Sequence, residues 1–371
     1  MSEKIKKEPL PYDGIVYLFQ GGGALGAYQV GVSEALFEHG CEPTWVIGNS
    51  IGAINGAIIV GNKPDVRIPK LKEFWNTIAS PLPDWFFSMD NDELRNMQNF
   101  LSSGWTALHG QKGFFGPKSI NPWFFEKNSI NELSFYDTSE LKNTLEKFID
   151  FNLLNQKKIR LTLGAVSVED GNRVCFDNSR QEVGPLHIMA SAALPPGFPA
   201  ITIDGKNYWD GGISSNTPLN VILEENISQK LLCFMVNLFP LSSKTPESIF
   251  EVFKRKKDIE LSSRHREVIR QFCKIHGLKH TIHQLSKIIE KNKLINLPNE
   301  FAKQGCSSAI NIVRFLYEDH SYDLWSSDFE FSRSSMQDHI EMGYAQVKKA
   351  LENPTWLEVI QDDVGVVLRE P

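Results

Sequence analysis

The sequence predicts an α/β fold built on a sheet with parallel strands, and three observations carry that expectation. Residues 14–20, GIVYLFQ, form an apolar β-rich run that breaks abruptly at Gly21-Gly22-Gly23. The following ALGAYQVGVSEALFEHG places Leu25, Tyr28, Val32, Leu36 and Phe37 at three- and four-residue steps before Gly40, the pattern of a helix and its stop. The second observation repeats the first. After Pro43, the run Trp45-Val46-Ile47 breaks at Gly48-Asn49-Ser50-Ile51-Gly52 and enters the apolar stretch AINGAIIV. Successive strand–turn–helix units imply parallel strands joined by helical crossovers. Third, strand runs resume downstream. IRLTLGAVSV (159–168) turns at Asp170-Gly171 into Val174-Cys175-Phe176, ITI turns at Asp204-Gly205 into NYWDGG, and residues 231–239 read as one more buried strand.

Length and composition fit this class. The chain has 371 residues, 41% hydrophobic and 23% charged, with 39 Lys and Arg against 45 Asp and Glu. This is ordinary globular composition, which excludes a disordered chain, a collagen and a disulfide scaffold. The net charge of −6 argues against a dedicated nucleic-acid binder. Five cysteines, none in a CxxC pair, read as free thiols, and Cys233 lies inside an apolar run. The N-terminus lacks the apolar core of a signal peptide, and no run approaches the ~20 apolar residues that a membrane span needs. The expected location is therefore the cytoplasm or a membrane periphery, with signal-less export left open.

Organisation divides into three parts. Residues 1–13 are a charged tail, 14–243 the α/β domain, and 244–371 a mainly helical accessory region. Between Phe74 and Tyr136 the chain holds 14 aromatic residues, including Trp85-Phe86-Phe87, Phe114-Phe115 and Trp123-Phe124-Phe125. Gly, Pro and Asn interrupt this segment, so about 74–136 reads as an insertion of loops and short helices that is mostly core, with a minority of its rings lining a pocket. In residues 244–300, 13 basic side chains face 7 acidic ones. Val268, Phe272, Ile275, Leu278, Ile282, Leu285 and Ile289 are spaced as one helix face. The basic stretch 254–293 has two readings: a solvated helix face, or a peripheral contact with an anionic membrane.

Two glycine motifs and one aspartate carry chemistry. Gly48-Asn49-Ser50-Ile51-Gly52 matches GxSxG, in which a sharp strand-to-helix turn lifts the serine oxygen clear of the sheet. Its place between an apolar strand and an apolar helix is the required context, although a glycine-flanked packing turn would look the same. Gly21-Gly22-Gly23-Ala24-Leu25-Gly26 formally matches GxGxxG. A dinucleotide site expects an acidic residue near the end of the second strand, and none stands there. An oxyanion hole of exposed backbone N–H groups and simple helix–strand packing remain. A serine nucleophile needs a base. None of the nine histidines has a clear strand-end setting, His187 included. Asp210, in Tyr208-Trp209-Asp210-Gly211-Gly212, does have one, although an Asp-Gly-Gly triplet is also an ordinary turn.

Taken together, GGGxxG after the first strand, GxSxG after the second and a late DGG resemble the patatin-like phospholipases. The likeness spans about residues 16–239 and extends to ASAALPPGFP (190–199) and DGGISSNTP (210–218). The C-terminal part, with Phe331-Ser332-Arg333-Ser334-Ser335-Met336, resembles the accessory region of a bacterial branch. The resemblance implies a three-layer α/β/α patatin-like fold with a mostly parallel central sheet and a helical C-terminal appendage, and a Ser–Asp dyad without histidine. In it Ser50 is the nucleophile, Asp210 the general base, and the N–H groups of Gly22 and Gly23 the oxyanion hole. Gly21, Gly26, Gly48, Gly52, Gly211 and Gly212 complete the motifs. It implies acyl-ester hydrolysis of phospholipids or other acyl lipids through an acyl-enzyme, without metal or cofactor. Plant-type members carry a basic residue where Leu25 stands, so any contribution from that side chain is missing here. Two alternatives stay open: a carboxylesterase or thioesterase on non-membrane substrates, and a silent membrane-binding module.

Overall fold

The computed structural model describes residues 10–80, 92–119, 122–124, 129–225, 228–292, 299–358, 360–361 and 364–371. Most of the expected tail, the Trp85-Phe86-Phe87 cluster, Phe125 and Lys293 lie outside them. In chain order the elements are β1 (Gly14–Phe19), α1 (Ala27–Glu38), β2 (Trp45–Gly48), α2 (Ile51–Val60), α3 (Arg67–Thr77), α4 (Asp92–His109), β3 (Gly116–Pro117) and β4 (Tyr136–Asp137). Next come α5 (Ser139–Phe148), α6 (Phe151–Leu154), β5 (Arg160–Ser167), β6 (Arg173–Asp177), α7 (Pro185–Ser191), β7 (Ile201–Ile203), β8 (Lys206–Asp210) and α8 (Asn220–Glu224). The chain ends with β9 (Lys230–Asn237), α9 (Ile249–Asn292), α10 (Asn299–Ala302), β10 (Ala309–Leu316), α11 (Arg333–Leu351) and β11 (Val366–Arg369).

The described residues form a nine-stranded sheet in the order β11-β10-β9-β1-β2-β5-β8-β7, with β6 also on β5. The five strands β11, β10, β9, β1 and β2 are mutually parallel, and β5 joins β2 in parallel. The expected hairpins β5–β6 and β7–β8 are antiparallel. One detail of register positions the site. Residues Thr162 to Val166 of β5 pair with β6, Leu163 and its predecessors pair with β2, and Ala165 to Ser167 pair with β8. Because a strand residue has only two edges, β2 and β8 must share the edge of β5 opposite β6. Gly48 sits against Leu163 and Asp210 against Ala165, so the end of β2 and the end of β8 meet over Gly164.

Strand periodicity separates the two cores. Tyr17, Phe19, Leu232, Phe234 and Val236 face a large cluster with α1, α2, α3, α5, α7 and α11. Val16, Leu18, Leu231, Cys233 and Met235 face a smaller one with α8 and α9. On the first side α1 and α11 pack backbone to backbone, since a Cβ on Gly31 would meet the Ile340 carbonyl oxygen at 1.8 Å.

Three expectations need correction. The C-terminal region is largely helical, but it is not an appendage on a finished domain, because β10 and β11 extend the central sheet across the expected boundary at 243. Without them β9, buried along its length, would leave a row of unpaired backbone groups at an edge. The strand was hidden by Asn311 and Arg314, which interrupt its apolar run. Both are buried, Asn311 donating to Tyr12 Oη and the Trp356 carbonyl, and Arg314 paired with Glu370.

Secondly, α9 turns a different row inward from the one its apolar spacing suggested. Asp258, Ser262, His265, Ile269, Phe272, His276 and His280 are buried, while Ile275, Leu278 and Leu285 are exposed. The neighbours supply polar partners: His265 meets Thr217 Oγ1 at 2.6 Å and His276 meets the Ser308 carbonyl at 3.1 Å. Thirdly, the insertion contains α4, a helix of 18 residues, where loops and short helices were expected. Phe114 and Phe115 are buried as expected, whereas Trp123 stands 81% exposed.

Candidate functional site

Ser50 stands between β2 and α2 with φ 54° and ψ −128°, a conformation seldom adopted by a residue with a Cβ and the mark of a strained turn. The flanking glycines permit it by close approach. A Cβ on Gly48 would fall 2.4 Å from the Gly52 carbonyl oxygen, and one on Gly52 would fall 2.5 Å from that of Phe19. The Ser50 amide donates to the Ser191 carbonyl at 3.0 Å, and the Gly52 amide to that of Asn49 at 2.8 Å. Thus the turn is held from both sides while the side chain stays half-buried at the helix N-terminus.

Asp210 ends β8, directly across Gly164 from the Ser50 turn. Its amide donates to the Ala193 carbonyl at 2.9 Å, and its carboxylate caps the short 3-10 turn Gly211–Ile213 by accepting the Gly212 amide at 2.7 Å. The Ser50 hydroxyl lies close enough to this carboxylate to hold its pKa down. The residue is almost wholly buried, and burial pushes its carboxyl up to about 6 against the lowering effect of the nearby Ser50 hydroxyl and the Gly212 amide. A carboxylate so placed can take a hydroxyl proton at neutral pH more readily than an exposed one near ~3.9.

The Gly21–Gly26 loop forms the third wall. Gly23 has φ +56°, and a Cβ there would lie 1.9 Å from the carbonyl oxygen of Asp328, so the accessory region packs directly against this loop. Among the described residues neither the Gly22 nor the Gly23 amide donates to a protein acceptor. Gly26 and Gly211 lie behind the site and serve close packing, against Ile51 and the Gly164 carbonyl respectively.

Ser50, Asp210, Gly21, Gly22, Gly23 and Gly212 all line one cavity of about 460 Å³. Its remaining walls are mainly apolar, with Phe114, Phe115, Tyr136, Leu194, Phe198 and Phe331 prominent. No histidine lines it among the described residues. His187 instead accepts the Gly184 amide at 3.0 Å in the cap of α7. A second cavity of about 390 Å³, between α8 and α9, holds none of the three motifs.

Sequence reasoning missed several residues of the site. Asn216 clamps Gly21 from both sides, its Oδ1 accepting the Gly21 amide at 3.1 Å and its Nδ2 donating to the Gly21 carbonyl at 3.0 Å. The Asn49 Nδ2 donates to the Ser215 carbonyl at 2.5 Å, tying the serine turn to the same loop. Lys257 of α9 brings a cation to the cavity wall, paired to Asp328 at 2.5 Å. Only the nearness of Asn216 to DGG was a signal in the sequence. Nothing in it placed Lys257 here.

Among the described residues no group of three or more His, Cys, Asp and Glu side chains could hold a metal ion, and no described helix is long and apolar enough to cross a membrane. A family model described as patatin-like phospholipase matches residues 17–223, and a second, described as patatin phospholipase, matches 259–363. No curated protein matches the chain. Among solved structures, VipD from Legionella pneumophila is similar at 12% identity and a TM-score of 0.34, over 93% of this chain and 67% of that one.

Proposed function

This chain belongs to the patatin-like phospholipase family of lipid acyl hydrolases, and on that premise we propose that it is a phospholipase A or lysophospholipase working through a Ser50–Asp210 dyad. The observation that carries the reading is that the Ser50 hydroxyl and the buried Asp210 carboxylate stand side by side in the wall of one largely apolar cavity. As Ser50 Oγ attacks the ester carbonyl, Asp210 takes its proton. The carbonyl oxygen becomes an oxyanion held by the Gly22 and Gly23 amides. Collapse expels the alcohol, which receives the proton from Asp210, and leaves an acyl-Ser50 ester. Asp210 then takes a proton from water as the water attacks that ester, and returns it to Ser50 Oγ as the fatty acid leaves.

The aromatic and aliphatic walls suit an acyl chain. Lys257 is the only cation among the described residues lining the cavity, and its pairing with Asp328, which lines the same wall, suits a zwitterionic head group. A fluorophosphonate probe should label Ser50, and Ser50→Ala should abolish both labelling and release of fatty acid from phosphatidylcholine and lysophosphatidylcholine. Labelling of the alanine variant at the wild-type rate would end the assignment. Turnover of acyl thioesters or soluble esters without release from either lipid would move the protein to the esterase class.

A further inference from the structure

We propose that the outward face of α4, continued by the start of α9, docks the protein onto a neutral or zwitterionic lipid surface with the cavity mouth turned toward it. The choice of partner rests on the lipid hydrolase reading above. Helix α4 is built inside out. Its buried residues are Gln98, Asn99, Ser102, Ser103 and Thr106, all polar. Its exposed row is Leu94, Met97, Leu101, Trp105 and Leu108, at steps of three and four, with Leu108 72% exposed and Met97 58%. A surface helix of a globular domain ordinarily does the opposite.

The orientation is fixed by the accessory region. Gln98 Nε2 donates to Ser334 Oγ at 2.9 Å, and Asn99 Nδ2 donates to the Tyr322 carbonyl at 3.0 Å. Ser103 Oγ meets Ser326 Oγ at 3.0 Å, and Arg95 pairs with Asp338. Rolling the helix to bury its leucines would strand these groups, so the apolar row is held outward.

The row does not stand alone. Phe100 packs edge-on against Phe250 at 6.2 Å, which joins α4 to the exposed Ile249, Phe250 and Phe253 of α9. Thr106 and Ala107 line the cavity, and Tyr136 Oη donates to the Ala107 carbonyl at 2.7 Å, so the apolar row borders the mouth. A protein seated here would cover that mouth, whereas a lipid surface would deliver substrate to it. Residues 97–108 contain no Asp, Glu, Lys or Arg, so the contact is apolar and insensitive to salt. At the start of the basic stretch, Lys254 and Lys257 are turned toward the accessory region, paired with Asp319 and Asp328.

The test uses the full chain with Ser50→Ala, which leaves lipid intact, sedimented with phosphatidylcholine vesicles at low and high salt. Binding should occur and persist in high salt. Adding Leu101→Glu and Leu108→Glu should lower partitioning roughly tenfold or more while the melting curve stays cooperative. Leu101→Ser with Leu108→Ser serves as the milder pair if the glutamates disturb folding, with a smaller loss in the same direction. Unchanged binding by either pair, failure of the parent chain to bind, or loss of binding in high salt would each overturn the proposal. So would a dimer in analytical ultracentrifugation that the glutamate pair converts to monomer. Failure of the hydrolase reading would appear separately, as absence of probe labelling on the wild-type chain.

Discussion

Helices α2 and α4 border the same cavity and are built in opposite senses. All ten residues of α2 are buried and nearly all are apolar; the exception, Asn55, donates to the Gly26 carbonyl and Gln29 Oε1 and accepts from the Trp75 indole. In α4 the buried side is polar and the apolar side faces out. The sense of a helix is thus decided by what its neighbour offers. Apolar strands of the sheet select apolar side chains, and a surface rich in serine and backbone carbonyls selects amides and hydroxyls. One helix is a platform for chemistry, the other a fixed carrier of an outward face, and substitutions in the two neighbourhoods should separate accordingly.

The largest effect is expected beside α2. Asp210→Asn should lower turnover by about 10²–10⁴-fold with the fold intact. The same change should raise the melting temperature above pH 6. The carboxyl titrates at about 6 in the folded chain and near ~3.9 when unfolded, so between those values the native state holds the extra proton. Stability contributed by the wild-type residue is therefore complete below about pH 4 and falls as pH rises toward 6. Melting curves of both proteins from pH 4 to 8 measure this, and identical pH dependence would contradict the buried setting. In the wild type, kcat/KM should climb about tenfold per pH unit below 6 and level off above it, and a flat profile from pH 4.5 to 7 would separate the base from Asp210.

Next is Gly23→Ala, where the positive φ and the Asp328 carbonyl leave no room. Strain of about 1–3 kcal/mol is expected, with slower fluorophosphonate labelling of Ser50 as the amides shift. On the other side, Asn99→Ala removes the bond to Tyr322 and should cost about 1–3 kcal/mol in urea unfolding without altering labelling of Ser50. If labelling fell with stability, the two neighbourhoods would be one unit. Smallest of all, Lys257→Ala should change the ratio of anionic to neutral lipid hydrolysed by roughly a few-fold, the scale of a partly exposed charge.

How much of this could be read from the chain follows the same division. The strands β1, β2 and β5 to β9 were legible as apolar runs bounded by turn residues, and the three motifs fell at the ends of β1, β2 and β8. What placed Ser50 beside Asp210 was not legible, since it depends on two strands sharing one edge of β5. Strand β10 was masked by Asn311 and Arg314, whose partners Tyr12, Trp356 and Glu370 come from distant parts of the sequence. In α9 the apolar spacing was real but pointed outward. In α4 the period of Leu94, Met97, Leu101, Trp105 and Leu108 was present to be counted and was obscured by the interrupting aromatics and glycines around it.

The shared edge of β5 also sets a schedule for biosynthesis. Ser50 and its turn emerge from the ribosome long before β8, and Asp210 reaches the serine only once β8 has added beside β2. A nascent chain therefore carries the serine without its neighbouring carboxylate over more than two fifths of its length, from Ser50 to Asp210 of 371 residues. Stalled chains probed with a fluorophosphonate should show reactivity only once β8 lies outside the exit tunnel.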